Sequence, residues 1–390
     1  MRCMHSRSHG RHYSFGCEVG PAASPGRLHG RPVCWMRRRP GRAVVQGEVS
    51  MDPVSQGVVG AIAALCVARR EQARPAALTG FVAGLLADVD VLIRSDVDPL
   101  LFLEYHRHFT HSLIFIPIGG LIAALLLWPW LRTRLDFARL YLYATLGYGS
   151  HGLLDACTTY GTRLLWPFSD VRVAWHTVAV IDPFFTLPLA LLVALAVWRR
   201  RTALAWAGLL FGLGYLCLGA VQRERADDLL ARVAQAHGHR IERGGAKPTL
   251  GNLLVWRGVY QFDGQLHAVA LRPAVFGPDR VSPIAHTPRY DPARDTPWLA
   301  PDSRLERDVR RFAHFSDDWL SRVPGQDDLI GDFRYALLPD RTRPLWAIRL
   351  RPERRDEFAD YVALREVGSD DLRRFLCMIA GTCLQPFPDD

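Results

Sequence analysis

Apolar residues run the length of a membrane crossing in three places along this chain. Residues 113–130 (LIFIPIGGLIAALLLWPW) and 202–221 (TALAWAGLLFGLGYLCLGAV) carry no charge, and residues 178–198 (VAVIDPFFTLPLALLVALAVW) carry one, Asp182. A helix needs ~20 such residues to cross a hydrocarbon core of ~30 Å. Three further segments are weaker: 57–68 is short, 76–93 has its acids at the far end, and 138–157 is amphipathic. A buried core helix competes with the membrane reading for 57–68, whereas runs such as 178–198 and 202–221 are rarely accommodated in soluble folds. The pattern predicts a mostly α chain, with a polytopic membrane domain of about four to six apolar helices over 51–221.

The pattern changes after residue 221. Residues 223–237 (RERADDLLARVAQAH) read as a polar helix, 252–272 and 345–350 alternate as strands do, 275–303 is a Pro- and Asp-rich loop, and 304–322 reads as another helix. Residues 222–390 are therefore expected to form a small α+β domain outside the membrane. No P-loop, GxSxG, Rossmann glycine pattern or internal repeat is present, and no interleaving of arginines with aromatics marks a nucleic-acid surface, so no nucleic-acid partner is expected.

The net charge of +9 is concentrated at the start: residues 1–50 hold nine Arg and two Glu, a net of +7. This stretch lacks apolar periodicity and has no apolar core behind its arginines, so it is not a secretory signal. It reads either as a disordered basic tail or as an upstream extension of a chain starting at Met51. The single lysine, Lys247, against 47 arginines fits the second. The eight cysteines form no CxxC pair, and of them Cys377 and Cys383 could pair if their domain is extracytoplasmic.

Arginines in short loops mark the cytoplasmic side of membrane proteins. Placing the Arg69/Arg70/Arg74, Arg132/Arg134/Arg139 and Arg199/Arg200/Arg201 loops inside puts the C-terminal domain outside. Asp88 and Asp90, His106 to His111, His151 and Asp155, and Asp182 then all lie toward that outer face. Ionisable groups at a span's edge are functional candidates, and these residue types bind divalent metals. In His106-Arg-His-Phe-Thr-His111, His108 and His111 would share a helical face, while His106 needs a turn to converge with His111. His151 and Asp155 are four apart on one face, able to chelate one metal or to pair as histidine and carboxylate. Asp88 and Asp90 could bridge metals or cap a turn, and Asp182 before Pro183 could be a ligand, a base or a helix-start residue. His314, Asp317 and Asp318 form a weaker cluster that reads as a solvated helix face.

Together, Gly84-Leu-Leu-Ala-Asp88-Val-Asp90, His106-Arg-His-Phe-Thr-His111-Ser112, His151-Gly-Leu-Leu-Asp155 and Ile181-Asp182-Pro183 resemble the YdjM-like family over about 51–221. The stretches around His314–Trp319, Gly331–Tyr335 and Pro344–Ile348 are similar to the C-terminal region of its longer members. That family is described as membrane-bound metal-dependent hydrolases and as LexA-binding inner-membrane-associated proteins, distantly similar to zinc phospholipase C and P1-type nucleases. The resemblance implies His106, His111, His151 and Asp155 as metal ligands, then Asp88, Asp90 and Asp182, with Asp182 also the catalytic candidate. It implies two or three zinc ions, or manganese. The chemistry would be phosphoester hydrolysis by metal-activated water at the bacterial inner-membrane surface, on a phospholipid or lipid-linked phosphate. His108 replaces a usual glycine and Gln56 stands where some members have histidine. A LexA partnership follows only from the family name. Two other classes compete: a non-catalytic scaffold holding structural metal, and an ion-coupled transporter, which should show broken midplane helices and repeat symmetry.

Overall fold

The computed structural model describes residues 52–388. The basic stretch 1–50, with the two readings of it, lies outside the described residues. The α-helices are α1 (Pro53–Cys66), α2 (Ala73–Leu86), α3 (Leu101–Tyr105), α4 (Ile116–Leu131), α5 (Phe137–Cys157), α6 (Pro183–Arg199), α7 (Thr202–Ala236), α8 (Pro292–Asp295), α9 (Arg304–Phe315) and α10 (Ser369–Ala380). The strands are β1 (Arg243–Pro248), β2 (Trp256–Phe262), β3 (Gln265–Arg272), β4 (Arg280–Val281), β5 (Ala285–Pro288), β6 (Leu320–Val323), β7 (Gln326–Asp332), β8 (Trp346–Arg349), β9 (Asp360–Ala363) and β10 (Gln385–Pro386). Among the described residues, three helical stretches are long and apolar enough to cross a membrane: Arg70–Leu92, Leu113–Leu131 and Thr202–Ala236. α1 and α6 are apolar but shorter.

The helical half is built with small residues inside and large apolar ones outside. Ala64, Ala76, Ala83, Ala123, Ala124 and Ala144 are buried, while Leu125, Leu126, Trp130, Leu187, Leu191, Trp198 and Leu210 are exposed. Exposed apolar surface of that extent suits contact with lipid, and small residues let helices approach closely there. Glycines carry the closest approach. A Cβ on Gly80 of α2 would lie 2.2 Å from the Gly60 carbonyl oxygen of α1, and one on Gly147 of α5 would lie 2.5 Å from the Gly80 carbonyl oxygen. Any side chain there would push the three helices apart, so these positions hold α1, α2 and α5 in one tight group.

Local chemistry sets the helix starts. Asp52 precedes Pro53 and accepts a hydrogen bond from the Val54 amide, and Asp182 precedes Pro183 and accepts from the Phe184 and Phe185 amides. Both follow the rule that an acidic or hydroxyl side chain caps the free amides of the first turn while proline fits its geometry. Asp52 N–H also bonds the Val180 carbonyl, so α1 and α6 begin at the same end of the bundle.

The later half has the opposite distribution, with large side chains inside. β1–β2–β3–β4–β10 form one antiparallel sheet, with β5 added to β3, and β6–β7–β8–β9 form a second. Trp256, Tyr260, Phe312, Phe333 and Trp346 are fully buried there. Asp263 and Gly264, both at positive φ (47° and 68°), turn β2 into β3; a two-residue hairpin needs this backbone, and Asp-Gly adopts it readily. α7 runs without a break from the apolar bundle into this half, where Leu229, Leu230 and Val233 pack on Trp256, Tyr260 and Val269. The expected separate helix 223–237 is thus the end of a 35-residue helix. The expected helix 304–322 ends at Phe315, because Asp317 and Asp318 take left-handed φ values of 47° and 58° and the chain then enters β6. The expected loop 275–303 contains β4, β5 and α8. Cys377 and Cys383 are joined in a disulfide.

Candidate metal centre

α2 ends in a 3-10 turn, Ala87–Leu92, that carries Asp88 and Asp90, and a second such turn, Phe109–His111, precedes α4. His151 and Asp155 lie on the last turns of α5, four residues apart and so on one face. Gly152 between them lets the first turn region close in: a Cβ there would lie 2.5 Å from the His111 carbonyl oxygen. The result brings Asp88, His111, His151 and Asp155 into one group and Asp88, Asp90 and His106 into a second, with Asp88 common to both.

The first group has the donor set of a divalent metal. His111 Nε2 lies 3.3 Å from Asp155 Oδ2 and 3.5 Å from Asp88 Oδ1, and His151 Nε2 lies 3.7 Å and 3.3 Å from the same two atoms. Donor atoms around a tetrahedral ion at about 2.1 Å stand roughly 3.4 Å apart. Asp88 Oδ1, His111 Nε2 and His151 Nε2 are buried and have no hydrogen-bond partner, and Asp155 Oδ2 is buried with the Arg107 guanidinium beside it.

The other face of each ring explains why this matters. His151 Nδ1 is 2.5 Å from the Gly84 carbonyl oxygen, which can only accept, so Nδ1 carries the proton. The Thr110 hydroxyl donates to Asp90 Oδ2 at 2.7 Å and must therefore accept from His111 Nδ1–H at 2.9 Å. Both imidazoles, when neutral, thus present bare Nε2 lone pairs to two carboxylate oxygens. Lone pairs facing anions in a buried site repel unless a cation sits among them. These residues fit a divalent ion.

The neighbours hold this set in place. Gln56 Nε2 donates to Asp155 Oδ1 at 2.7 Å, and the Arg107 amide donates to Asp90 Oδ2 at 3.0 Å. Asp90 Oδ1 is 2.9 Å from His106 Nδ1, so Asp90 steadies His106 and His111 from behind, as carboxylates often do for metal-binding histidines. His111, His151 and Asp155 have fully buried side chains, while Asp88 is 17% exposed and opens the centre to water.

Arg107 completes the charge pattern. Its Nε lies 3.1 Å from Asp155 Oδ2, its Nη1 donates to Thr158 Oγ1 at 3.1 Å, and its φ is 61°. Left-handed backbone at a non-glycine residue is costly and concentrates at functional sites. Asp88, Asp90 and Asp155 supply three negative charges against this one buried cation. The sequence offered little to single out Arg107 beyond its position between two histidines.

Other residues singled out in the sequence lie apart from both groups. Asp182 caps α6 and accepts from the Tyr215 hydroxyl at 2.8 Å. His108 packs against Trp166, Phe109 and Tyr105. Burial, then the charge of Arg163, lowers its pKa, so it is neutral at pH 7. Asp317 pairs with Arg334, and Arg243 donates to the carbonyls of Asp317 and Asp318, which holds that turn in shape.

A cavity of about 460 Å³ lies beside the 101–112 region, lined by Arg163, Arg172, Arg307, Arg310 and Arg311 with His314 and a single acid, Glu104. The Arg163 amide bonds the Arg107 carbonyl, which ties this cavity to the centre. Burial, reinforced by Arg334, lowers Arg172 to about 10, so it remains a cation at neutral pH.

The family model of YdjM inner membrane proteins matches residues 51–226, which contain every residue of both groups. Inner membrane protein YbcI of Escherichia coli strain K12 is 33% identical over 145 residues, covering 31% of this chain and 83% of that protein. Uncharacterized protein YfhP of Bacillus subtilis strain 168 is 29% identical over 111 residues, covering 28% of this chain and 33% of that protein. No solved structure matches.

Proposed function

Because the chain belongs to the YdjM inner membrane protein family, we propose that it is a multi-pass inner-membrane hydrolase that cleaves phosphoesters at the membrane surface with one or more divalent ions, zinc or manganese. The observation that carries this reading is the pair of buried Nε2 atoms of His111 and His151 facing carboxylate oxygens of Asp88 and Asp155 with no hydrogen-bond partner.

A divalent ion bound there supplies a Lewis acid and a water of lowered pKa. The chain's own residues do the rest. Asp90 and Thr110 hold His111, the Gly84 carbonyl holds His151, and Gln56 holds Asp155. Arg107, beside Asp155, is placed to offset negative charge that builds on a phosphoryl group. The arginine-lined cavity gives an anionic head group a second point of contact. The apolar outer face of α4, α6 and α7 supports a substrate that arrives in the bilayer, a phospholipid or a lipid-linked phosphate. The Cys377–Cys383 disulfide and the arginine-rich loops together favour an extracytoplasmic centre and C-terminal domain. Asp182, as a helix cap hydrogen-bonded to Tyr215, contributes by setting the start of α6 and so the packing of that helix on α1.

The test is phosphate release from phosphatidic acid, an undecaprenyl-type lipid phosphate and bis-p-nitrophenyl phosphate by the detergent-purified chain with added zinc or manganese. Turnover abolished in Asp155→Asn and cut roughly a hundredfold or more in Arg107→Gln supports the reading. A metal-loaded chain inert toward all three substrates overturns it in favour of a structural metal.

A further inference from the structure

We propose that the C-terminal half holds a second metal site, made of imidazoles alone and selective for a borderline divalent cation such as zinc, copper or nickel. It comprises His237, His239, His267 and His286, which line an open cleft of about 990 Å³ on the first sheet. The site is separate from the Asp/His centre and stands whether or not that centre hydrolyses anything.

The fold brings these four residues together from three places. His237 and His239 follow each other off the end of α7, His267 lies on β3, and His286 lies on β5. β3 and β5 pair so that His267 is directly opposite His286, which puts both side chains on one face of the sheet. β2 places Tyr260 opposite His267 on the other side, with the two rings stacked at 4.6 Å. Ring centres are 4.8 Å apart for His239–His267, 5.8 Å for His267–His286 and 5.9 Å for His237–His239. A tetrahedral zinc ion bound by ring nitrogens at about 2.1 Å holds imidazole centres on the order of 5 Å apart. The rings of His111 and His151 in the first centre, for comparison, are 4.7 Å apart.

The hydrogen bonds point the same way. His237 Nδ1 lies 2.9 Å from the Val233 carbonyl, so it carries the proton and leaves Nε2 as the free ligand atom. His239 Nδ1 bonds the Tyr260 hydroxyl at 2.7 Å, which also leaves Nε2 free. Metal-binding histidines are commonly anchored in this way through the nitrogen that does not bind the ion. His267 is 5% exposed, lines the cleft, and has no hydrogen bond on either ring nitrogen. A buried imidazole without a partner is costly, and a cation that takes its lone pair lowers that cost. His237 and His286 are exposed, so their rings can turn about their side-chain torsions to close on an ion. Asp263 is the one acid in the lining, so the donor set is nearly all nitrogen, which favours zinc, copper and nickel over magnesium, calcium or manganese.

The experiment is a Co²⁺ titration of the detergent-purified full chain, followed by bound equivalents and by the visible absorption of four-coordinate cobalt. Three proteins are compared: wild type, His239→Ala/His286→Ala, and His151→Ala/Asp155→Ala. His239 and His286 lie at the cleft surface, and their replacement should leave elution volume and circular dichroism unchanged. The proposal expects wild type to bind one equivalent more than His239→Ala/His286→Ala, and expects His151→Ala/Asp155→Ala to keep that equivalent with its absorption. Equal binding by wild type and the cleft variant, or loss of all binding in the His151→Ala/Asp155→Ala protein, overturns it.

Discussion

The two histidine clusters differ in what surrounds them. The centre at the helix ends mixes imidazole with carboxylate, is buried except at Asp88, and has its donor atoms 3.3–3.7 Å apart. The cleft on the first sheet has imidazoles alone, three of them anchored or buried, and stays open to water. The first is rigid because glycine contacts lock α1, α2 and α5 together; the second depends on two strands in register and on side chains that still rotate. Placement by helix packing gives a preformed site whose charge calls for a cation, whereas placement by a sheet edge gives one that closes when the ion arrives.

The strongest way to break this contrast is to loosen the helices. Gly80→Leu forces a side chain into the Gly60 carbonyl, where even a Cβ would be 2.2 Å away. Overpacking of this kind costs about 1–3 kcal/mol or more, and it moves Asp88, His151 and Asp155 relative to one another. The expected outcome is loss of metal at the helical centre and early elution or aggregation on size exclusion, with the cleft's cobalt signal retained in whatever protein stays folded. Metal content equal to wild type would show that the glycine contact does not set the centre's geometry.

Smaller effects should follow from the groups that orient the ligands. Asp90→Asn keeps the shape but weakens its hold on His106 and His111, and a loss of roughly 10–100-fold in metal affinity is expected. Gln56→Ala removes one 2.7 Å hydrogen bond to Asp155 and should cost on the order of tenfold. Competition with a chromophoric chelator measures both, and the cleft provides the internal control because neither substitution touches it. The least perturbing test is graded chelation of wild type: the open cleft should release its ion first and the buried centre last. Simultaneous release would remove the distinction between the two sites.

Much of the helical half was readable in the chain. Its apolar runs fell where α4, α6 and α7 lie, and the acids and histidines at one kind of run end marked the residues that converge there. What the pattern could not carry was geometry set by tertiary contact. The 3-10 turns at Ala87–Leu92 and Phe109–His111 bend Asp88 and His111 toward α5, and no local periodicity encodes that. Gln56 was visible only as a departure from a family pattern, yet it holds Asp155. Arg107 reads as one arginine among many until its buried guanidinium is seen 3.1 Å from Asp155. Asp182 sits at the end of an apolar run like the others, but the proline after it makes it a helix cap. The cleft was hidden for another reason: His237, His239, His267 and His286 are scattered over about fifty residues, and only the β3–β5 register brings the last two face to face. The boundary near residue 221 follows the end of the apolar run, while α7 continues through it because its next face packs on β2 and β3.

The central claim is that Asp88, His111, His151 and Asp155 form a metal centre. The most direct measurement is elemental analysis by mass spectrometry of the detergent-purified full chain, comparing wild type with His151→Ala/Asp155→Ala. The account predicts at least one equivalent of zinc or manganese in wild type beyond that in the double variant, with both proteins eluting alike. Equal metal in the two, or none in wild type purified from zinc- and manganese-supplemented cells, would contradict it.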